Sequence, residues 1–247
     1  MLRNLILLLS ASVVMTIAAA DYNTTAEKAR RFYVDGEWAS ASAMYSLLID
    51  ERPDDSELYA HAIVADGMRG DSLAQITLMR NAMTHHVVFD SVFSAVERCS
   101  FAQGKAHIYE RFLINLRQAE PWLQRAVDSR LLKFYAFRRN PAETERYARI
   151  MLRGLPDNED YLYTLAAAFV TAGEMKKAEE IYSRIVEINP RAYVALLYLG
   201  NYAADTGDKA SATEYLSRAA AIKATPYVDA LLARPPHHGY CSRLWPT

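Results

Sequence analysis

The chain has 247 residues, 51% of them hydrophobic and 23% charged, an ordinary composition for a soluble globular protein. Its 28 basic and 29 acidic residues nearly cancel to a net charge of -1, which argues against nonspecific nucleic-acid binding, since that requires a basic footprint.

The first twenty residues stand apart. Arg3 precedes the apolar run Leu5-Ile6-Leu7-Leu8-Leu9, then Val13-Val14-Met15, and Ala18-Ala19-Ala20 leads into Asp21. A basic start, a short apolar stretch and an A-x-A ending read as a secretory signal peptide over residues 1–20, cleaved between Ala20 and Asp21. An uncleaved anchor is the alternative, although the run is shorter than the roughly 20 apolar residues that span a bilayer and contains Ser and Thr. No Cys follows the apolar run, which disfavours a lipoprotein. The protein is therefore expected to be exported, to the periplasm or, alternatively, as a secreted protein. Asn23-Thr24-Thr25 fits an N-glycosylation sequon, relevant only in a host that glycosylates secreted proteins.

From Asp21 onward two residue types keep one period. Gly36, Gly70 and Gly104 are 34 residues apart, and Gly173 follows Gly104 by 69, twice the period plus one. Pro53, Pro121, Pro156 and Pro190 are spaced by 68, 35 and 34, so the extra residue is placed between Pro121 and Pro156, near the turn at Trp122. The series divides the array 21–234 into six units at about 22–55, 56–89, 90–124, 125–158, 159–192 and 193–226. A short capping helix over 227–234 (YVDALLAR) and a flexible tail over 235–247 follow. The fourth unit replaces its glycine turn by Arg139-Asn140-Pro141; Asn140 is assigned to the helix C-terminus and Pro141 to the first turn of the next helix.

The fifth and sixth units are the clearest copies. Leu165-Ala166 answers Leu199-Gly200, Gly173 answers Gly207, Ala178 answers Ala212, and Tyr182 answers Leu216. The spacing 162, 165, 166, 169 is one face of an α-helix. Small residues fit where helices cross closely, and large ones fill the gaps between. This unit resembles a tetratricopeptide (TPR) repeat, whose period is about 34 residues. The resemblance covers nearly all of the chain after residue 20. It implies an all-α fold, an α-solenoid of about six helix-turn-helix repeats in a right-handed superhelix.

The resemblance also implies where a partner would lie, across the first helix of each repeat. By register that groove includes Asn23, Arg30 and Tyr33 in the first unit and Asp160, Tyr163, Ala167 and Val170 in the fifth. In the sixth it includes Val194, Leu197, Asn201 and Asp205. One TPR subgroup grips a C-terminal carboxylate with a Lys/Asn/Arg clamp. Asn201 holds the clamp's asparagine position, but Leu197 replaces the lysine and Asp205 would repel a carboxylate, so that subgroup is not expected. A mixed, partly apolar groove suits a helix or an extended apolar peptide.

Catalytic and metal chemistry find little support. No G-x-S-x-G, Walker-type loop or H-E-x-x-H occurs. His237, His238 and Cys241 lie close together but without a second ligand pair, His107 and Glu110 read as a solvated helix face, and His85-His86 reads as a turn. Cys99 reads as a buried thiol and Cys241 as a free tail thiol. The sequence therefore points to a non-enzyme with no catalytic residues, no metal, no cofactor and no evident small-molecule substrate. The expected function is an interaction scaffold for a protein or peptide. A structural or self-associating subunit of an envelope-assembly complex is the alternative, with homo-oligomer or membrane-complex association.

Overall fold

The computed structural model describes residues 21–233. Residues 1–20, where a signal peptide is expected, and the whole tail 235–247, including His237, His238 and Cys241, lie outside the described residues. Within them the fold is all-α, as expected. A helix over residues 21–35 (α1) is followed by α2 (Trp38–Glu51), α3 (Ser56–Arg69), α4 (Ser72–Thr84), α5 (Phe89–Ala102) and α6 (Ala106–Ala119). A single 3-10 turn, Pro121–Leu123, leads to α7 (Gln124–Phe137) and α8 (Pro141–Gly154). Then come α9 (Glu159–Ala172), α10 (Met175–Ile188), α11 (Tyr193–Thr206), α12 (Lys209–Ile222) and the short α13 (Pro226–Leu232). None of these helices is long and apolar enough to cross a membrane.

The chain divides into two compact units between Val127 and Asp128. In the first, α3 packs against α2, α4, α5 and α6, and its core is rich in rings and large aliphatics: Tyr59, Phe93, Tyr109, Phe112 and Leu113. In the second, α8, α9, α10, α11 and α12 pack successively, and α13 joins α12 with Val228 buried. The large residues at helical spacing (Leu162, Leu165, Phe169, Tyr182, Ile185, Leu196, Leu199, Leu216) are all buried. A single amphipathic hairpin could not cover these faces by itself; the adjoining helices do so.

The turns explain the glycines. Gly36, Gly70, Gly104, Gly173 and Gly207 all adopt positive φ. At Gly173 the N–H donates to the Val170 carbonyl at 3.1 Å and the next N–H to the Phe169 carbonyl at 2.9 Å, so two carbonyls at the end of α9 are satisfied by a left-handed residue. The same pair of bonds recurs at the end of α7, where Arg139 N–H donates to Ala136 and Asn140 N–H to Tyr135. There the left-handed residue is Arg139, at φ 52°, not Asn140. Asn140 instead caps α8, its side-chain oxygen accepting from the Glu143 N–H at 3.3 Å. The expectation that Asn140 ends the preceding helix is thus corrected: an asparagine oxygen suits the free N–H groups of a helix start, and Pro141 behind it occupies the first-turn position.

The extra residue is not in the turn at Trp122. The linker 120–123 is as long as 52–55, 155–158 and 189–192. The run from Gln124 to Arg139 is instead one residue longer than those from Glu159 to Gly173 and from Tyr193 to Gly207. Phe89 to Gly104 is equally long, but α4 is one residue shorter, which leaves the glycine spacing unchanged.

Candidate peptide-binding cleft

An open cleft of 320 Å³ lies in the second unit, bounded by the end of α7, the turn into α8 and one face of α9. Its floor is small: Ala136 from α7, with Ala167 and Ala168 from α9. Alanine at these positions leaves room between helices that larger side chains would fill. Thr144, Thr164 and Thr171 add methyl groups, because each hydroxyl donates to the carbonyl one helical turn earlier. The distances are 2.7 Å to Asn140, 2.7 Å to Asp160 and 2.8 Å to Ala167. The cleft therefore presents mainly carbon, with hydroxyl protons already used.

Its rim carries charge. Arg139 lines the cleft beside Asn140 and Pro141, at the start of α8. A helix N-terminus adds partial positive charge, so the guanidinium and the helix end act in the same direction. Glu143, in the first turn of α8, is paired with Arg146 at 3.1 Å, which partly offsets its own field. The result favours a negatively charged group at this rim.

Tyr163 forms the other side. It is half-buried, packs edge-on against Tyr182 (6.2 Å between centroids, 63°), and burial raises its pKa, with Glu159 adding to the shift and a hydrogen bond to the Ala195 backbone opposing it. Behind it the rings continue: Tyr182 stacks on Tyr198 at 4.2 Å and Tyr198 on Tyr202 at 6.2 Å. Tyr198 also donates to the Met175 carbonyl at 3.3 Å. These rings fix α9, α10 and α11 against one another and hold Tyr163 in a defined orientation.

The predicted groove residues are distributed unevenly. Only Tyr163 and Ala167 line this cleft. Val170, Leu197 and Asn201 are half-buried on α9 and α11, and Asp160, Val194 and Asp205 are exposed. Arg30 and Asn23 are exposed on α1, in the other unit. Tyr33 is corrected. It is 5% exposed, with its ring edge-on to Trp38, Tyr45 and His61, so it is a core residue and not a groove residue. Among the cleft residues that sequence reasoning passed over, Arg139 is the charged one. Its signal was available, as the arginine standing where five other turns have glycine. His107 is exposed on α6, while His85 ends α4 with Nδ1 bonded to the Asn81 carbonyl at 3.1 Å, and His86 takes a left-handed turn conformation.

Neither a family model nor a curated protein matches the chain. Among solved structures it is similar to the C-terminal part of a TPR repeat-containing protein from Cytophaga hutchinsonii. That pair is 13% identical with a TM-score of 0.48, over 79% of this chain and 78% of that one. It is also similar to YrrB, described as a TPR protein with an unusual peptide-binding site (12%, TM-score 0.48, 74% and 94% of the two chains). A third is pilF of Pseudomonas aeruginosa (14%, TM-score 0.43, 84% and 94%). At these identities and superpositions the likenesses carry no argument about family or function.

Proposed function

We propose that the chain is an exported, non-enzymatic TPR-type interaction protein that holds an extended peptide segment of a partner in the α7–α8–α9 cleft. The segment has small apolar side chains and one acidic group, which meets Arg139. The supporting observation is Arg139 itself. A left-handed conformation costs an L-residue with a Cβ about 1–2 kcal/mol, and glycine would relieve it. An arginine in that conformation, lining an apolar cleft, is strain located where a cation is useful. The lining contains no carboxylate, imidazole or thiol that could serve as a general base, so its chemistry is that of holding a ligand.

The test uses a fluorescein-labelled hexapeptide of alternating Ala and Val with one Glu, and its Gln counterpart. The Glu peptide is expected to bind about tenfold more tightly, the scale of one charge-assisted hydrogen bond. Arg139→Gly is expected to abolish that preference while raising stability by about 0.5–1 kcal/mol in urea unfolding, because the strain is relieved. Tyr163→Ala is expected to weaken both peptides. Equal affinity for the two peptides, or a preference that survives Arg139→Gly, would overturn the assignment. Export is part of the same proposal, and it rests on residues 1–20. Protein recovered from the host envelope should begin at Asp21; a chain beginning at Met1 in the cytoplasmic fraction would rule export out.

A further inference from the structure

A second constellation lies in the first unit and uses no residue of the cleft. Glu57 and His61 sit one helical turn apart on α3, sharing a face, and α5 brings Cys99 against them. One carboxylate oxygen, one ring nitrogen and the sulfur all lie within 4.8 Å of one another. We propose that Glu57, His61 and Cys99 form a binding site for a zinc-class divalent cation, with a fourth position open to solvent.

The imidazole is already oriented for this. Its Nδ1 lies 2.8 Å from the Glu57 carbonyl oxygen, which can only accept, so Nδ1 carries the hydrogen. In the neutral ring Nε2 then presents its lone pair, and it faces Cys99 Sγ at 3.8 Å. A backbone carbonyl that fixes the tautomer of a ligating histidine is the usual outer-shell arrangement of metal sites. The ring is held from both sides, stacked on Tyr45 (4.9 Å, 20°) and edge-on to Tyr33 (4.9 Å, 69°). Zinc bonds of about 2.3 Å to sulfur and about 2.0 Å to nitrogen at a tetrahedral angle put those atoms about 3.5 Å apart, so little movement is needed. Mixed N, S and O donors suit zinc better than a hard cation such as magnesium.

One further observation points to a ligand. Tyr33 is 5% exposed and edge-on to His61, yet its hydroxyl has no hydrogen-bond partner among the described residues. Arg98 forms a close ion pair with Glu57, so a guanidinium neutralises the carboxylate at this spot. A divalent cation would take that role. Its bond to sulfur forms as the S–H bond breaks, the proton leaves to solvent, the cation gives up bound water, and Arg98 is released. Glu57 is half exposed and gives access from solvent, while Cys99 closes the inner side.

The test is done on the full chain after treatment with a chelator. Equilibrium dialysis should give one bound Zn²⁺ per chain, and Co²⁺ should produce a thiolate-to-cobalt charge-transfer band. Cys99→Ser and His61→Ala should each weaken zinc at least tenfold and remove the band, with the metal-free helix signal unchanged. If either variant loses helix, Glu57→Gln, which alters the exposed ligand, should still weaken binding. Arg98→Gln should strengthen binding severalfold by freeing Glu57, and weaker binding would overturn the exchange of Arg98 for the cation. Absence of stoichiometric zinc would overturn the site. So would a cobalt band that survives Cys99→Ser but is lost in Cys241→Ser, which would assign the metal to the tail.

Discussion

Gly67→Ala is expected to destabilise the first unit by about 2–4 kcal/mol, although it adds a single methyl group and improves helix propensity. The reason lies in what the methyl would meet. A Cβ at Gly67 would lie 2.5 Å from Gln75 Nε2 and 2.5 Å from Ile108 Cγ2. Both neighbours are buried. Gln75 cannot simply swing aside, because its amide donates to the Ile63 carbonyl at 2.8 Å, and moving it strands a buried donor. Overpacking costs about 1–3 kcal/mol and a stranded polar group a similar amount, against about 1 kcal/mol gained by replacing a helical glycine. Urea unfolding followed by circular dichroism measures the net, and hydrogen exchange places it in α3, α4 and α6. A variant as stable as the parent would mean that α3 does not need this close approach.

Gly67 also marks a limit of what could be read from the chain. The glycines that keep the 34-residue period were legible because each one ends a helix, a local requirement for positive φ that needs no knowledge of the fold. Gly67 is off that period and inside a helix; its reasons are the Gln75 amide on α4 and the side chain of Ile108 on α6, 41 positions away. The same distinction runs through both sites. Large apolar residues at helical spacing were legible as core. Tyr33, on α1, was assigned to a groove because register says which way a side chain points but not what closes over it, here Trp38, Tyr45 and His61. Register placed Tyr163 and Ala167 in a groove on the first helix of the fifth unit; the cleft they line also needs the end of α7. There a single added residue and a left-handed arginine replace the regular turn. Glu57 and His61 are recognisable as an i, i+4 pair, a spacing too common to suggest a site; only the packing of α5 on α3 supplies the sulfur.

At the crossing of α11 and α12 a glycine faces a buried leucine. Gly200→Ala should cost about 1–2 kcal/mol, Leu216→Ala about 2–5 kcal/mol, and the double variant less than their sum by about 1 kcal/mol or more. A Cβ at Gly200 would lie 2.6 Å from Leu216 Cγ and 2.8 Å from Cδ2, with the Leu216 backbone nitrogen already at 3.4 Å. Leu216 is 3% exposed and has no free direction in which to move. One repeat earlier the matching positions are Ala166 and Tyr182, both buried, a methyl and a flat ring in place of no side chain and a branched one. A branched leucine occupies that volume, and glycine is what remains compatible with it. Trimming Leu216 to alanine removes the atoms that clash, so the added methyl partly fills the cavity it leaves and the two costs cannot add. Strict additivity would show that Gly200 serves the helix backbone alone and that the α11–α12 distance is set elsewhere. A coupling of the expected sign would show that the distance is set at this pair, directly beside Asn201 on the same helix.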